Sequence, residues 1–150
     1  MDTLVFRLYG AMASWGEIAV GENRHTASYP SKSAIIGLIA AALGIKRDAE
    51  EQQNQLQQGY ALAVEVISSG QLLRDYHTTQ VPSATGKLNY RTRRDEIVLG
   101  KKQLGTILSS REYRSDALAL VAIQALETAP YSLEEIKKHL LQPTFHLYLG

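Results

Sequence analysis

The sequence predicts an α+β domain in which two helices cover one face of an antiparallel sheet, and three observations carry that prediction. Runs with strand character and runs with helix character follow one another as strand, helix, strand, insertion, strand, helix and an extended tail. The segment Ala34–Ile45 is apolar nearly all the way round, which suits a helix buried against a sheet on one side and by further chain on the other. A length of 150 residues, 45% of them hydrophobic, is enough for one real core and too short for two, so residues 1–150 read as a single domain.

The first strand is Thr3–Tyr9, TLVFRLY, rich in β-formers and closed by Gly10. From Ser14 to Ser33 the chain has no periodicity of its own, which is long for a compact domain and marks a functional loop whose basic groups are Arg24, His25 and Lys32. A helix over Ser31–Leu43 follows. Pro30 sets its approach, Ser31 or Ser33 caps its free amides, and Lys32 stands where those amides and the helix dipole favour an anion such as phosphate, although an ordinary capped helix with a solvated lysine is the reading local sequence favours. Gly44 and Ile45 suit a Schellman ending.

Asp48 with Glu51 offers a capping box for a peripheral helix that has only Leu56 to bury. Tyr60–Ile67 alternates as a strand, and Ser68-Ser69-Gly70 reads as a turn returning the chain into Leu72–Thr79, a hairpin. From Gln80 to Arg114 glycines, Pro82 and basic residues dominate, an inserted projecting hairpin. Ala117–Ile123 is a continuous apolar run, a central strand. Ser132 and Glu135 make a capping box for a helix over Leu133–Leu141, ended by Pro143. Strand, helix, strand, strand, helix is the order of a ferredoxin-like (RRM-like) fold, whose second sheet face stays free to bind. Thr144–Leu149 supplies its fourth strand or is the loop leading to it.

Composition narrows the function. There is no cysteine, which removes disulfides, thiolate metal sites and cysteine nucleophiles and fits a reducing compartment. The longest apolar run falls short of the ~20 residues needed to span a bilayer, and the first residues are no secretory signal, so a soluble, cytoplasmic protein without a membrane partner is expected. No HExxH, Walker or dinucleotide motif occurs and His25, His139 and His146 have no ligand spacing, so no metal and no cofactor is expected.

Charge is segregated. Arg74–Arg114 carries nine basic and four acidic residues, a balance of +5 in a chain of net +1, and the remainder is therefore −4. Such segregation points to one surface made for a polyanion, with a solvated, aggregation-resistant loop as the alternative. Lys87, Tyr90, Arg91, Arg93 and Arg94, then Lys101 and Lys102, combine guanidinium forks with an aromatic plane, a mixture suited to single-stranded RNA. Trp15 either stacks on a base or plugs the open end of the core. In the run RDYHT, Arg74, Tyr76 and His77 have types suited to metal-independent RNA cleavage, with His77 or Tyr76 as general base. Strand alternation puts Tyr76 and His77 on opposite faces, so an Arg74–Asp75 pairing with Tyr76 in the core is the expected arrangement.

The blocks MASWGEIAVGENRHTASYPSKSAIIGLIAAALGIKR, LRDYHT and the closing YLG, in this order and at these separations, resemble the CasD family, the Cas-five subunit of the type I-E CRISPR Cascade complex. That resemblance spans nearly the whole chain and is looser in the insertion. It implies a ferredoxin-like, RAMP-superfamily, non-catalytic subunit for antiviral defence, with a thumb hairpin at about 80–114. Implied partners are the 5′ handle of CRISPR RNA and other Cascade subunits, the adjacent backbone subunit above all. The implied RNA contacts are Lys87, Tyr90, Arg91, Arg93, Arg94, Lys101 and Lys102 on the thumb, Arg74 and His77 at its root, and Trp15, Arg24, Lys32 and Ser33 around the loop and helix start. Family members continue past the YLG motif, so the C-terminal part of the family fold is expected to be absent from these residues. Relatives in type I-C systems cut precursor RNA, which leaves a metal-independent endoribonuclease as an alternative. A protein-interaction module without an RNA role is a third reading.

Overall fold

The computed structural model describes residues 2–19, 21–82, 90–99 and 104–150. In chain order its elements are β1 (Leu4–Ala13), β2 (Asn23–Arg24), α1 (Lys32–Leu43), α2 (Glu50–Gly59), β3 (Tyr60–Ser68), β4 (Gln71–Pro82), α3 (Arg93–Leu99), β5 (Leu104–Ala125) and α4 (Leu133–Leu141). The described residues form a mixed α+β architecture with one open five-stranded sheet and four helices.

Every other strand pairs with β5, whose 22 residues span about 70 Å when extended. Its C-terminal half, which holds the apolar run Ala117–Ile123, lies between β1 (Leu4↔Ile123 to Ala13↔Arg114) and β3 (Tyr60↔Ala125 to Ser68↔Leu118), both antiparallel. Its N-terminal half pairs antiparallel with β4, from Gln71↔Ser115 to Pro82↔Leu104, and takes β2 in parallel on the other edge at Ser110 and Arg111.

The expected hairpin at Ser68-Ser69-Gly70 does not form. Strands β3 and β4 run end to end along the same edge of β5, because that strand continues past the break and offers β4 a partner. Gly70 has φ 66° and lies over β5, where a Cβ would stand 2.3 Å from the Ser115 carbonyl oxygen, so the joint admits only glycine. The true hairpin is β4–β5, an arm rooted at Gln71 and Ser115 that reaches beyond the core. Asp116, the one non-glycine residue with positive φ among those described (56°), sits at the same level on β5.

The core forms where α1, α2 and α4 meet one face of the sheet. Ile35, Ile36, Ile39 and Ala40 of α1 pack with Leu8, Val121 and Ile123, Leu56 anchors α2, and Ile136 anchors α4. The buried Tyr60 hydroxyl donates to the Tyr131 carbonyl at 2.6 Å and accepts from the Tyr131 amide at 3.0 Å, tying β3 to the start of α4. Opposite the helices, Val5 and Tyr9 of β1 are exposed, so one face of the sheet is uncovered among the described residues.

Helix ends follow local chemistry with one exception. Ser31 Oγ accepts from the Ala34 amide, Gly44 is left-handed with the Ile45 amide bonded to Ala40 as in a Schellman ending, and Ser132 with Glu135 completes a capping box. Asp48 and Glu51 make no such box. The Ala49 amide bonds to the Lys46 carbonyl, and this extra turn delays α2 until Ala49 is its cap residue, which has no side-chain acceptor. The tail Thr144–Leu149 forms no strand; it passes the end of α1, and Leu149 accepts from the Ser14 amide at 2.7 Å.

Candidate nucleic-acid interface

Where the arm leaves the core, the polar groups of the long loop and of β4 converge on one carboxylate. Glu112 of β5 is only 8% exposed, yet it accepts from Arg74 Nη2 at 2.7 Å and Nε at 3.2 Å through Oε1, and meets His25 Nδ1 at 3.1 Å through Oε2. Arg74 stands directly across the ladder from Glu112. A buried carboxylate needs such partners, and these two come from opposite sides of the strand. Arg74 is therefore a strut at the root of the arm, paired with Glu112 instead of Asp75.

Arg74 first, and then His25, hold the Glu112 carboxyl below its ordinary value of 4.5. A carboxyl lowered in the folded chain stabilises it fully above the ordinary carboxylate range and loses that contribution as pH falls through the lower folded value. Near neutral pH Glu112→Gln is expected to melt below the parent chain. The difference closes as pH drops below about 4.5, which thermal denaturation across pH reads directly.

The loop is folded instead of open. Trp15 N donates to Thr26 Oγ1 at 2.7 Å, Ala27 N to Trp15 O at 2.8 Å, and Ser110 N to Glu22 O at 2.9 Å, which straps the loop to the arm. Trp15 is 8% exposed and belongs to the core, so its ring takes the plugging role and not the stacking one in this conformation. Lys32 is also committed: its Nζ donates to the Tyr60 carbonyl at 2.9 Å, joining α1 to β3. Ser33 Oγ meets Ser31 Oγ at 3.0 Å. The lysine that a candidate anion site at the start of α1 would use is thus engaged within the protein, though exposed rather than simply solvated.

Arg24 remains exposed in β2, and the parallel register sets it beside exposed Arg111 of β5, with Asp75 of β4 on the far side. Neither arginine has an ion-pair partner among the described residues. Like charges facing each other across a ladder repel, and an anion between them relieves that repulsion. On the arm, Arg91 and Arg94 are exposed, and Tyr90 is half-buried. Arg93 is taken up by Glu96 and the Gln80 carbonyl, which folds α3 back on β4. Thr92 and Asp95 cap α3 reciprocally, at 3.2 and 3.1 Å. Lys87, Lys101 and Lys102 lie outside the described residues.

His77 Nε2 lies 2.6 Å from Asp75 Oδ2 without hydrogen-bond alignment, an ion contact on one face of β4. Tyr76 is its neighbour in the strand, points to the other face and is 64% exposed, so it does not take the core position expected of it, because β4 lies beyond the helix-covered part of the sheet. The two are not brought to one centre. Among the described residues no group of three or more histidine or carboxylate side chains is placed to hold a metal ion, and no helix is long and apolar enough to cross a membrane. Sequence reading missed Glu112 and Arg111, because their partners come from residues far away in the chain and no local motif announces them.

A family model described as CRISPR-associated protein (Cas_Cas5) matches residues 3–150. The CRISPR system Cascade subunit CasD of Escherichia coli (strain K12) is 33% identical over 155 residues, covering 98% of this chain and 64% of that relative. A chain from a structure of a CRISPR RNA-guided surveillance complex superimposes with a TM-score of 0.69 at 31% identity, over 99% of this chain and 57% of the other. A chain described as a Cas protein crystal structure gives 0.60 at 30% identity, over 99% and 56%. The chain thus spans a little under two thirds of the length of these relatives.

Proposed function

The chain belongs to the Cas5 family of CRISPR-associated proteins, and from that premise we propose that it is a non-catalytic, cytoplasmic subunit of a type I-E Cascade complex that holds the 5′ handle of CRISPR RNA. The observation that carries this reading is the β4–β5 arm. It projects two ladder-paired strands from the core, carries exposed Arg91 and Arg94, and has at its root the Arg24–Arg111 row, which has no ion-pair partner among the described residues. Exposed guanidiniums along a rigid arm bind a phosphate backbone, and most of the affinity for RNA comes from such contacts.

In this reading residues 1–150 form one ferredoxin-like domain whose β1, β5 and β3 are its first, third and second strands, with the arm as the thumb that reaches the adjacent backbone subunit. RNA follows Arg24 and Arg111 onto Arg91 and Arg94; Lys87, Lys101 and Lys102, which lie outside the described residues, are proposed as further phosphate contacts from their charge. Trp15, Lys32, Ser33 and Arg74 shape the cleft without lending it free charge, since each is engaged within the protein. His77 and Tyr76 border it.

The test is binding of repeat-derived RNA with and without the handle sequence, in chelator, with the RNA recovered and sized. Tighter binding with the handle and intact RNA is the expected result. Cleavage lost in His77→Ala would replace this reading with an endoribonuclease, and no RNA shift at low salt would leave a protein-interaction module.

A further inference from the structure

β2 is only 2 residues long, yet it stands in register with β5. A parallel pairing of that length supplies few ladder bonds, and parallel pairs are the less stable kind per residue. Its anchors therefore lie in the residues that flank it. On one side the Ser110 amide donates to the Glu22 carbonyl at 2.9 Å. On the other, His25 Nδ1 lies 3.1 Å from Glu112 Oε2, and because a carboxylate only accepts, Nδ1 carries the proton. Arg74 of β4 holds the other oxygen of the same carboxylate, so one side chain ties the loop, β5 and β4 together at a single level.

A buried charge pair is a poor device for stability alone, since apolar side chains of similar size often do as well. What Glu112 adds is direction, because its two oxygens fix their partners on opposite sides of the strand. Alternation carries that geometry to the other face of the sheet. Arg24 precedes His25 and Arg111 precedes Glu112, so both arginines point away from the clamp, and they are ladder partners. Their like charges push β2 off β5, and the clamp opposes that push. Asp75, the acid nearest in register, contacts His77 instead of either arginine.

We propose that His25 and Glu112 are positioning residues that hold Arg24 beside Arg111, so that the two guanidiniums together grip one phosphate of the bound RNA. The inference rests on the RNA reading above and names the groups that build this seat. Without the clamp the loop carries Arg24 away, and its ordering has to be supplied when RNA arrives.

The experiment is RNA binding across a range of salt, with and without the handle sequence, by the parent chain, Arg24→Ala, His25→Ala, the double variant of both, and His25→Asn, whose side-chain amide takes the place of Nδ1. The His25 side chain is 54% exposed, so its removal leaves the core intact, and melting temperatures confirm the folding of each variant. Arg24→Ala and His25→Ala are each expected to weaken binding by about 5- to 20-fold and to make the dependence of log K on log salt shallower by about 0.7 to 1. The double variant binds no more weakly than Arg24→Ala, because His25 acts only through Arg24. His25→Asn recovers the parent affinity and slope without an imidazole. Losses that multiply in the double variant make His25 a direct RNA contact and overturn the proposal. Unchanged binding in Arg24→Ala or His25→Ala, or no recovery in His25→Asn, overturns it as well. The same coupling on RNA with no preference for the handle upholds the seat while the handle reading fails, and no binding by the parent chain removes both.

Discussion

Gly70→Ala lowers stability by at least about 2 kcal/mol, a fall in melting temperature of roughly 5 °C or more. Two costs add. Alanine resists the φ of 66°, and its Cβ would stand 2.3 Å from the Ser115 carbonyl oxygen and 2.8 Å from the Ala117 amide nitrogen, so either β5 or the β3–β4 joint must move. Gly16→Ala is the matched control, because a Cβ there meets nothing within 4 Å and its φ is ordinary. Equal melting of the two variants would show that the joint tolerates a side chain and that β3 and β4 are not held in line by it. The arm should suffer with the joint, so handle-RNA affinity falls in Gly70→Ala and not in Gly16→Ala.

Arg91 and Arg94 replaced together by alanine weaken handle-RNA binding by about 10- to 100-fold at moderate salt, and make the dependence of log K on log salt shallower by about 1 to 2. Both guanidiniums are exposed on the arm, which is where phosphate contacts form. Arg93→Ala alone has a smaller direct effect on RNA, because that side chain already serves Glu96 and the Gln80 carbonyl; its loss instead loosens α3. Arg47→Ala, on a groove beside α1, stays within about twofold of the parent chain. An unchanged affinity and slope in the double variant would remove the arm from the RNA path.

Much of the core was legible because its signals are local. Ser31, Gly44 and the Ser132–Glu135 box mark helix ends through atoms within a few residues, and alternation in Tyr60–Val66 or continuous apolarity in Ala117–Ile123 reflects burial against neighbours. The N-terminal half of β5 was not legible. Thr106–Ser115 is mostly polar and basic, and ladder bonds, the Glu112 clamp and the Ser110–Glu22 strap hold it where the core helices do not reach. The same half explains the error at Gly70: a positive-φ glycine after two serines reads as a turn, and only the unseen continuation of β5 keeps the chain straight. The Thr92–Asp95 cap for α3 is a local signal, but it lies among basic residues that read as part of a projecting hairpin. Glu112 depended on pairings of Arg74 and His25 across long stretches of chain, which no local pattern encodes.

The shared strand β5 also has a consequence for the order in which this chain folds. Pro82 and Leu104 are near in sequence, whereas Leu4 must find Ile123 across most of the chain. Loop closure favours the nearer pairing, so the β4–β5 ladder zips first and sets the register of β5 before β1 arrives. Because β5 is one uninterrupted strand, a slip of one residue in the arm would turn Val121 and Ile123 away from α1. The peripheral arm thereby acts as the template on which the hydrophobic centre is assembled.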